Sequence, residues 1–177
     1  MRRMLARLRA GELTVDEALE EIRRTQLVEL AGQARMDLGR TARRGIPEVV
    51  LAAGKPPETV ARLILALARE QGQGLGSRLM PDHWPALEAA SGEFELERFG
   101  PRSVVARRPG FTPDSSSGRA AIITAGTSDL PVAEEARMVL EAAGVETRLV
   151  FDVGVAGLHR LLEPLAALVE WRADVMV

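Results

Sequence analysis

Ile122-Ile123-Thr124-Ala125-Gly126-Thr127-Ser128-Asp129-Leu130-Pro131 carries a β-branched apolar run into a small, hydroxyl-rich turn. Pro131 suits the first position of a following helix, and Glu134 and Glu135 suit its first turn. A strand, a short loop and a helix in that order form the junction where open α/β sheets bind phosphates and carboxylates. Gly126 lets a backbone approach a ligand, and Thr124, Thr127 and Ser128 supply hydroxyls. Asp129 works against an anion on its own side of the turn, yet it can accept hydrogen bonds from sugar hydroxyls. Plain helix capping by Ser128 or Asp129 explains the same residues without a ligand.

Downstream of this turn the pattern is βαβαβ. Ala120 to Thr124 reads as a strand, Val132 to Ala143 as a helix closed by Gly144, and Glu146 to Phe151 as a second strand. Val155 to Trp171 reads as a helix with Leu158, Leu161, Leu162, Leu165 and Leu168 on one stripe. Ala173 to Val177 reads as the start of a buried parallel strand. Three strands fall short of the five or six usual for such sheets, so the second half is expected to be a partial domain cut off after its third strand. An unpaired edge predicts association, hence a homo-oligomer.

The loop after the second strand is Asp152-Val153-Gly154-Val155-Ala156-Gly157-Leu158-His159-Arg160. Adjacent parallel strands bring their C-terminal loops together, so His159 and Asp129 are expected to share one crevice. There His159 would act as acid or base near neutral pH. A helix-surface histidine is the alternative. His83, beside Trp84 and between Pro81 and Pro85, is read as structural.

Upstream, Pro109 to Gly118 is a Pro/Gly/Ser linker, dividing residues 1–108 from residues 119–177. The first part reads as a small α+β domain. Thr14 and Glu17 form a T-x-x-E capping box for a helix over 13–24, with Glu17, Glu20, Glu21, Arg23 and Arg24 on a solvated face. A helical or mixed segment is expected through about Ala34. Glu48 to Ala52 reads as a buried strand, and Pro57 opens a helix with Val60, Leu63, Ile64 and Leu67 on its apolar face. Gly72, Gly74 and Gly76 read as a turn, since no strand precedes them. Leu75 to Leu79 suits a strand and Pro81 to Ala90 a helix; Phe94 to Phe99 and Ser103 to Arg107 flank Gly100-Pro101 as a hairpin.

Composition narrows the classes. No apolar run approaches the roughly 20 residues that span a membrane, and no signal peptide opens the chain, so a cytoplasmic location is expected. Net charge is −2. The basic clusters Arg40, Arg43, Arg44 and Arg102, Arg107, Arg108 have no interleaved aromatics, which argues against nucleic acid as a partner. Cysteine is absent, which removes disulfides, thiolate metal sites and a cysteine nucleophile. Among 23 basic residues the single lysine is Lys55, a compact amine in an arginine background. It is a candidate ligand contact, or a surface lysine of no special role.

Three separated stretches, Arg44 to Val50 with Gly54-Lys55, Thr124 to Glu135, and Asp152 to Arg160, closely resemble the LarB family of nickel-pincer cofactor biosynthesis. That family's C-terminal domain is similar to the PurE-type aminoimidazole ribonucleotide carboxylase. The resemblance implies a PurE-like (flavodoxin-like, Rossmann-type) parallel three-layer α/β domain behind the small N-terminal domain. It implies a ribosyl-phosphate cradle at Gly126, Thr127, Ser128 and Asp129, further binding contacts from Gly157, Arg160 and Lys55, and catalytic roles for His159 and Asp129. The implied reaction carboxylates the pyridinium ring of nicotinic acid adenine dinucleotide with CO2 or bicarbonate. It also hydrolyses the phosphoanhydride, releasing AMP and pyridinium-3,5-biscarboxylic acid mononucleotide. Magnesium assists, with Asp129 and Asp152 as outer contacts. The family's cysteine, which adds to the ring, has no counterpart here, so an inactive fragment is expected. A purine-pathway carboxylase is a second reading, disfavoured by the first domain; a non-catalytic nucleotide-binding or assembly module is a third.

Overall fold

The computed structural model describes residues 2–19, 27–30, 34–37, 40–41, 45–115, 118–154, 157 and 159–177. Met1–Arg44 and Gly45–Val177 are separate compact units.

In the first unit, helix α1 spans Arg2–Arg9, and residues 15–19 form a short helix, α2. The capping box ahead of α2 is present. Glu17 N–H donates to Thr14 Oγ1 at 3.2 Å, and the Thr14 N–H and hydroxyl each donate to Glu17 Oε2 at 2.8 Å. The rest of the expected helix, residues 20–24, lies outside the described residues, as do Arg43 and Arg44. The helical or mixed segment expected next is instead an antiparallel pair, β1 (Leu27–Leu30) with β2 (Ala34–Asp37). Four-residue strands are too short for their alternation to stand out from helical spacing.

The second unit holds two sheets. The first has the order β3 (Val49–Leu51), β4 (Gln73–Ser77), β6 (Ser103–Arg107), β5 (Glu95–Phe99). β3 and β4 run parallel, joined by helix α3 (Pro57–Gln71); β4–β6 and β6–β5 are antiparallel. Pro57 does start α3, and Val60, Leu63, Ile64 and Leu67 are all buried. Gly72 ends α3 in the left-handed conformation, φ 88°. Gly74 and Gly76 lie inside β4 and not in a turn. A methyl group at Gly74 would overlap the Ile64 carbonyl oxygen, so the glycine lets α3 lie directly on the strand. Helix α4 (His83–Ala90) packs on α3. Arg98 lies 4.0 Å from the ring centre of Trp84 and pairs with Glu88, tying β5 to α4.

The second sheet has the order β8 (Glu146–Val150), β7 (Arg119–Ile123), β9 (Val175–Met176), all parallel. Helix α5 (Leu130–Ala142) links β7 to β8, and α6 (His159–Glu170) links β8 to β9. The α/β class with a parallel sheet is thus present. Ala121 and Ile123 turn toward Leu168 of α6 and Trp171 just beyond it. The alternate residues Ala120 and Ile122 face the α5 layer. The expected third strand is only two residues long and not buried: Val175 is 49% and Met176 39% exposed.

Helix α5 serves both sheets. Met138 and Ala142 pack against Leu75, Phe99 and Val105 of the first sheet, and Gln73 Nε2 donates to the Ala142 carbonyl at 2.7 Å. On the other side Thr147 Oγ1 of β8 donates to Glu141 Oε1 at 2.5 Å. Both contacts join a strand's start to the C-terminal end of α5. The carboxyl ends of β4, β7 and β8 therefore lie toward its N-terminal end.

Candidate functional site

The residues that follow β7 and β8 are tied together by backbone. Thr124 N–H donates to the Val150 carbonyl at 2.9 Å, and Val153 N–H donates to the Thr124 carbonyl at 3.1 Å. A Cβ at Gly154 would sit 2.6 Å from the Ala125 carbonyl oxygen, so glycine permits the second loop to lie against the first. Two loops at the carboxyl edge of adjacent parallel strands thus form one surface, the usual ligand position in open α/β sheets.

Within the first loop, Thr127–Asp129 form a single 3-10 turn that runs into α5. Asp129 closes the turn on itself. Its Oδ2 accepts the Gly126 N–H at 3.0 Å, its own N–H donates to the Gly126 carbonyl at 3.1 Å, and Ser128 Oγ approaches Oδ1 at 3.4 Å. Helix capping, the alternative explanation for Asp129, is therefore present. The exposed Thr127 hydroxyl takes no part in this capping, while the exposed Ser128 hydroxyl donates to Asp129 Oδ1; both lie next to the partial positive charge of the helix start.

In the second loop Arg160 Nη2 donates to Asp152 Oδ2 at 2.6 Å, and Arg160 N–H donates to the Gly157 carbonyl at 3.0 Å. Asp152 has φ 54°, uncommon for a residue with a side chain. His159 is the first residue of α6, which puts its backbone at the same carboxyl edge; its side chain lies outside the described residues. The structure gathers Gly126, Thr127, Ser128 and Asp129 in one turn and holds Gly157, Arg160 and Asp152 in the loop beside it.

Lys55 stands on the other sheet, at the junction of β3 and α3. Its Nζ donates to the Leu51 carbonyl at 2.5 Å. His83 is 3% exposed and pins the same loop: Nδ1 accepts the Met80 N–H at 2.8 Å, while Nε2 lies 3.0 Å from the Lys55 carbonyl oxygen. The first bond needs the Nδ1 lone pair, so Nε2 carries the hydrogen given to Lys55. His83 is a structural residue, as its setting between prolines suggested.

Among the described residues no three acidic, histidine or cysteine side chains gather around a point that could hold a metal ion. Asp129 and Asp152 are each committed elsewhere, to Gly126 and Arg160. No step is assigned to a magnesium ion. Among the described residues no helix is long and apolar enough to cross a membrane.

Sequence reasoning listed Thr124 among the hydroxyls but gave no sign of its state. It is 5% exposed, and its Oγ1 has no hydrogen-bond partner among the described residues.

A strand–turn–helix edge joined through α5 to a mixed four-stranded sheet defines an α/β protein with a parallel sheet. Residues 28–105 match the family model for the LarB/PurE-like N-terminal domain. It is 29% identical over 175 residues to an uncharacterized protein of Methanocaldococcus jannaschii, covering 96% of this chain and 68% of that relative.

Proposed function

We propose that this chain forms the nucleotide-binding part of a LarB-type carboxylase and phosphoanhydride hydrolase. The ligand is nicotinic acid adenine dinucleotide, which reacts with CO2 or bicarbonate to give AMP and pyridinium-3,5-biscarboxylic acid mononucleotide. The matched N-terminal domain supports the carboxylase-family assignment. The observation that carries the binding reading is the capped turn Gly126–Asp129 at the head of α5, with the second loop laid against it at Gly154. Thr127 and Ser128 would hold a ribosyl phosphate, and the fixed Asp129 carboxylate would accept from ribose hydroxyls. Arg160 and Gly157 would border that position, and Lys55 would meet an outlying anionic group. His159, whose backbone starts α6 at the same edge, is the acid–base candidate. The chain contains no cysteine, so the covalent step of the family's reaction is not assigned to any residue here.

Titration calorimetry tests the reading. The chain is expected to bind nicotinic acid adenine dinucleotide, and Asp129→Ala to weaken it about tenfold, the equivalent of one good hydrogen-bonded contact. A nucleotide that binds the variant as tightly as the original chain removes Asp129 from the site. A nucleotide that does not bind at all removes the function.

A further inference from the structure

We propose that the Thr124 hydroxyl is a ligand-binding group, donating to an anionic oxygen of phosphate or carboxylate type seated at the head of α5. The inference rests on the nucleotide-binding reading above and deepens it.

Three observations converge on this residue. Thr124 is the last residue before the turn, and strand alternation continues Ala120 and Ile122, so its side chain faces the α5 layer and not Leu168 and Trp171. Both of its backbone groups are satisfied, by Val150 and Val153. Its hydroxyl alone is buried without a partner among the described residues. A buried hydroxyl gives up its hydration, and the described residues return no hydrogen bond to this one. Valine has the same shape and would not incur that loss, so the threonine weakens the ligand-free fold. A ligand oxygen arriving at the helix start would restore the missing bond. Ser77 and Ser103 also have unpartnered hydroxyls, but they belong to β4 and β6 of the first sheet and not to the turn.

The test compares Thr124→Val, Thr124→Ser and Ser103→Ala in the whole chain. Each is measured for melting temperature without ligand, and by calorimetry with nicotinic acid adenine dinucleotide, AMP and nicotinate. Thr124→Val is expected to melt higher than the original chain and to bind the dinucleotide about tenfold more weakly. Thr124→Ser, which keeps the hydroxyl, is expected to bind within about threefold of the original. Ser103→Ala is expected to bind unchanged. A matching loss with AMP identifies the anion as phosphate; a loss confined to nicotinate identifies it as carboxylate. Dinucleotide affinity unchanged in Thr124→Val overturns the role of Thr124 alone, and an equal loss in Ser103→Ala overturns it as a general packing effect. A chain that binds none of the three probes overturns the nucleotide reading itself.

Discussion

At Gly74 the close approach of α3 to β4 leaves no room for a side chain. Three glycines at alternate positions look like a turn, because glycine weakens strands and nothing β-branched surrounds them. What demands glycine is not the local backbone but Ile64, ten positions away on α3, whose carbonyl oxygen occupies the space a side chain would need. Gly74→Ala is expected to cost about 3 kcal/mol, at the upper end of overpacking penalties, because the neighbour is helix backbone and cannot rotate aside. Urea unfolding measures it; a loss below 0.5 kcal/mol would mean that α3 slides off β4 without penalty. Asp129 shows the opposite case. Capping by Ser128 or Asp129 was one of the two readings of this turn, and the Asp129 carboxylate does close it by accepting the Gly126 N–H. Thr124 was legible as a hydroxyl at a strand end. Its missing partner was not, since satisfaction depends on everything packed around it.

At the scale of elements, spacing served best where an apolar face was long. Pro57 and the stripe Val60, Leu63, Ile64, Leu67 located α3, and Thr14 with Glu17 located the start of α2. The pair β1 and β2 was missed for want of length, and β9 proved shorter and more exposed than its apolar sequence implied. The capping box makes a prediction about acid. Glu17 is held below the ordinary carboxylate range, first by the Thr14 N–H it accepts and then by the Thr14 hydroxyl. A carboxyl whose value is lowered by folding adds stability that is complete above the usual carboxylate value. That stability is lost as the pH falls through the lowered value. The start of α2 is therefore expected to fray only at pH below the normal glutamate range. Carboxyl-carbon NMR of Glu17 should titrate low, together with loss of the Thr14 amide's protection. Glu17→Gln, which can still complete the box, should abolish the pH dependence without removing the helix start. A normal Glu17 titration would show the box to be open in solution.

At the scale of the whole second unit, the feature that spacing could not show is the sharing of α5. Val132 to Ala143 reads as the cover of one parallel sheet. Its other side fills the core of the sheet before it, with Met138 fully buried among Leu75, Phe99 and Val105. Arg137 extends that contact, stacking 4.9 Å from the Phe99 ring centre while pairing with Glu134 at 2.9 Å. A Pro/Gly/Ser segment between the halves gives no hint of this, because a linker's composition reports its own backbone and not the surfaces it joins. If α5 is a common core layer, the two sheets should lose stability together. Met138→Ala removes a fully buried side chain and is expected to cost about 3 kcal/mol. Hydrogen exchange locates the loss. Amides of β4 and β6 and amides of β7 and β8 should become less protected by the same amount, and denaturant should unfold the unit in one transition. Loss confined to β4 and β6 would mean that the second sheet keeps α5 on its own, and the turn at its head would then be independent of the first sheet. Equal loss makes the position of that turn a property of both sheets, so that a cavity made in the first would loosen the turn on the second.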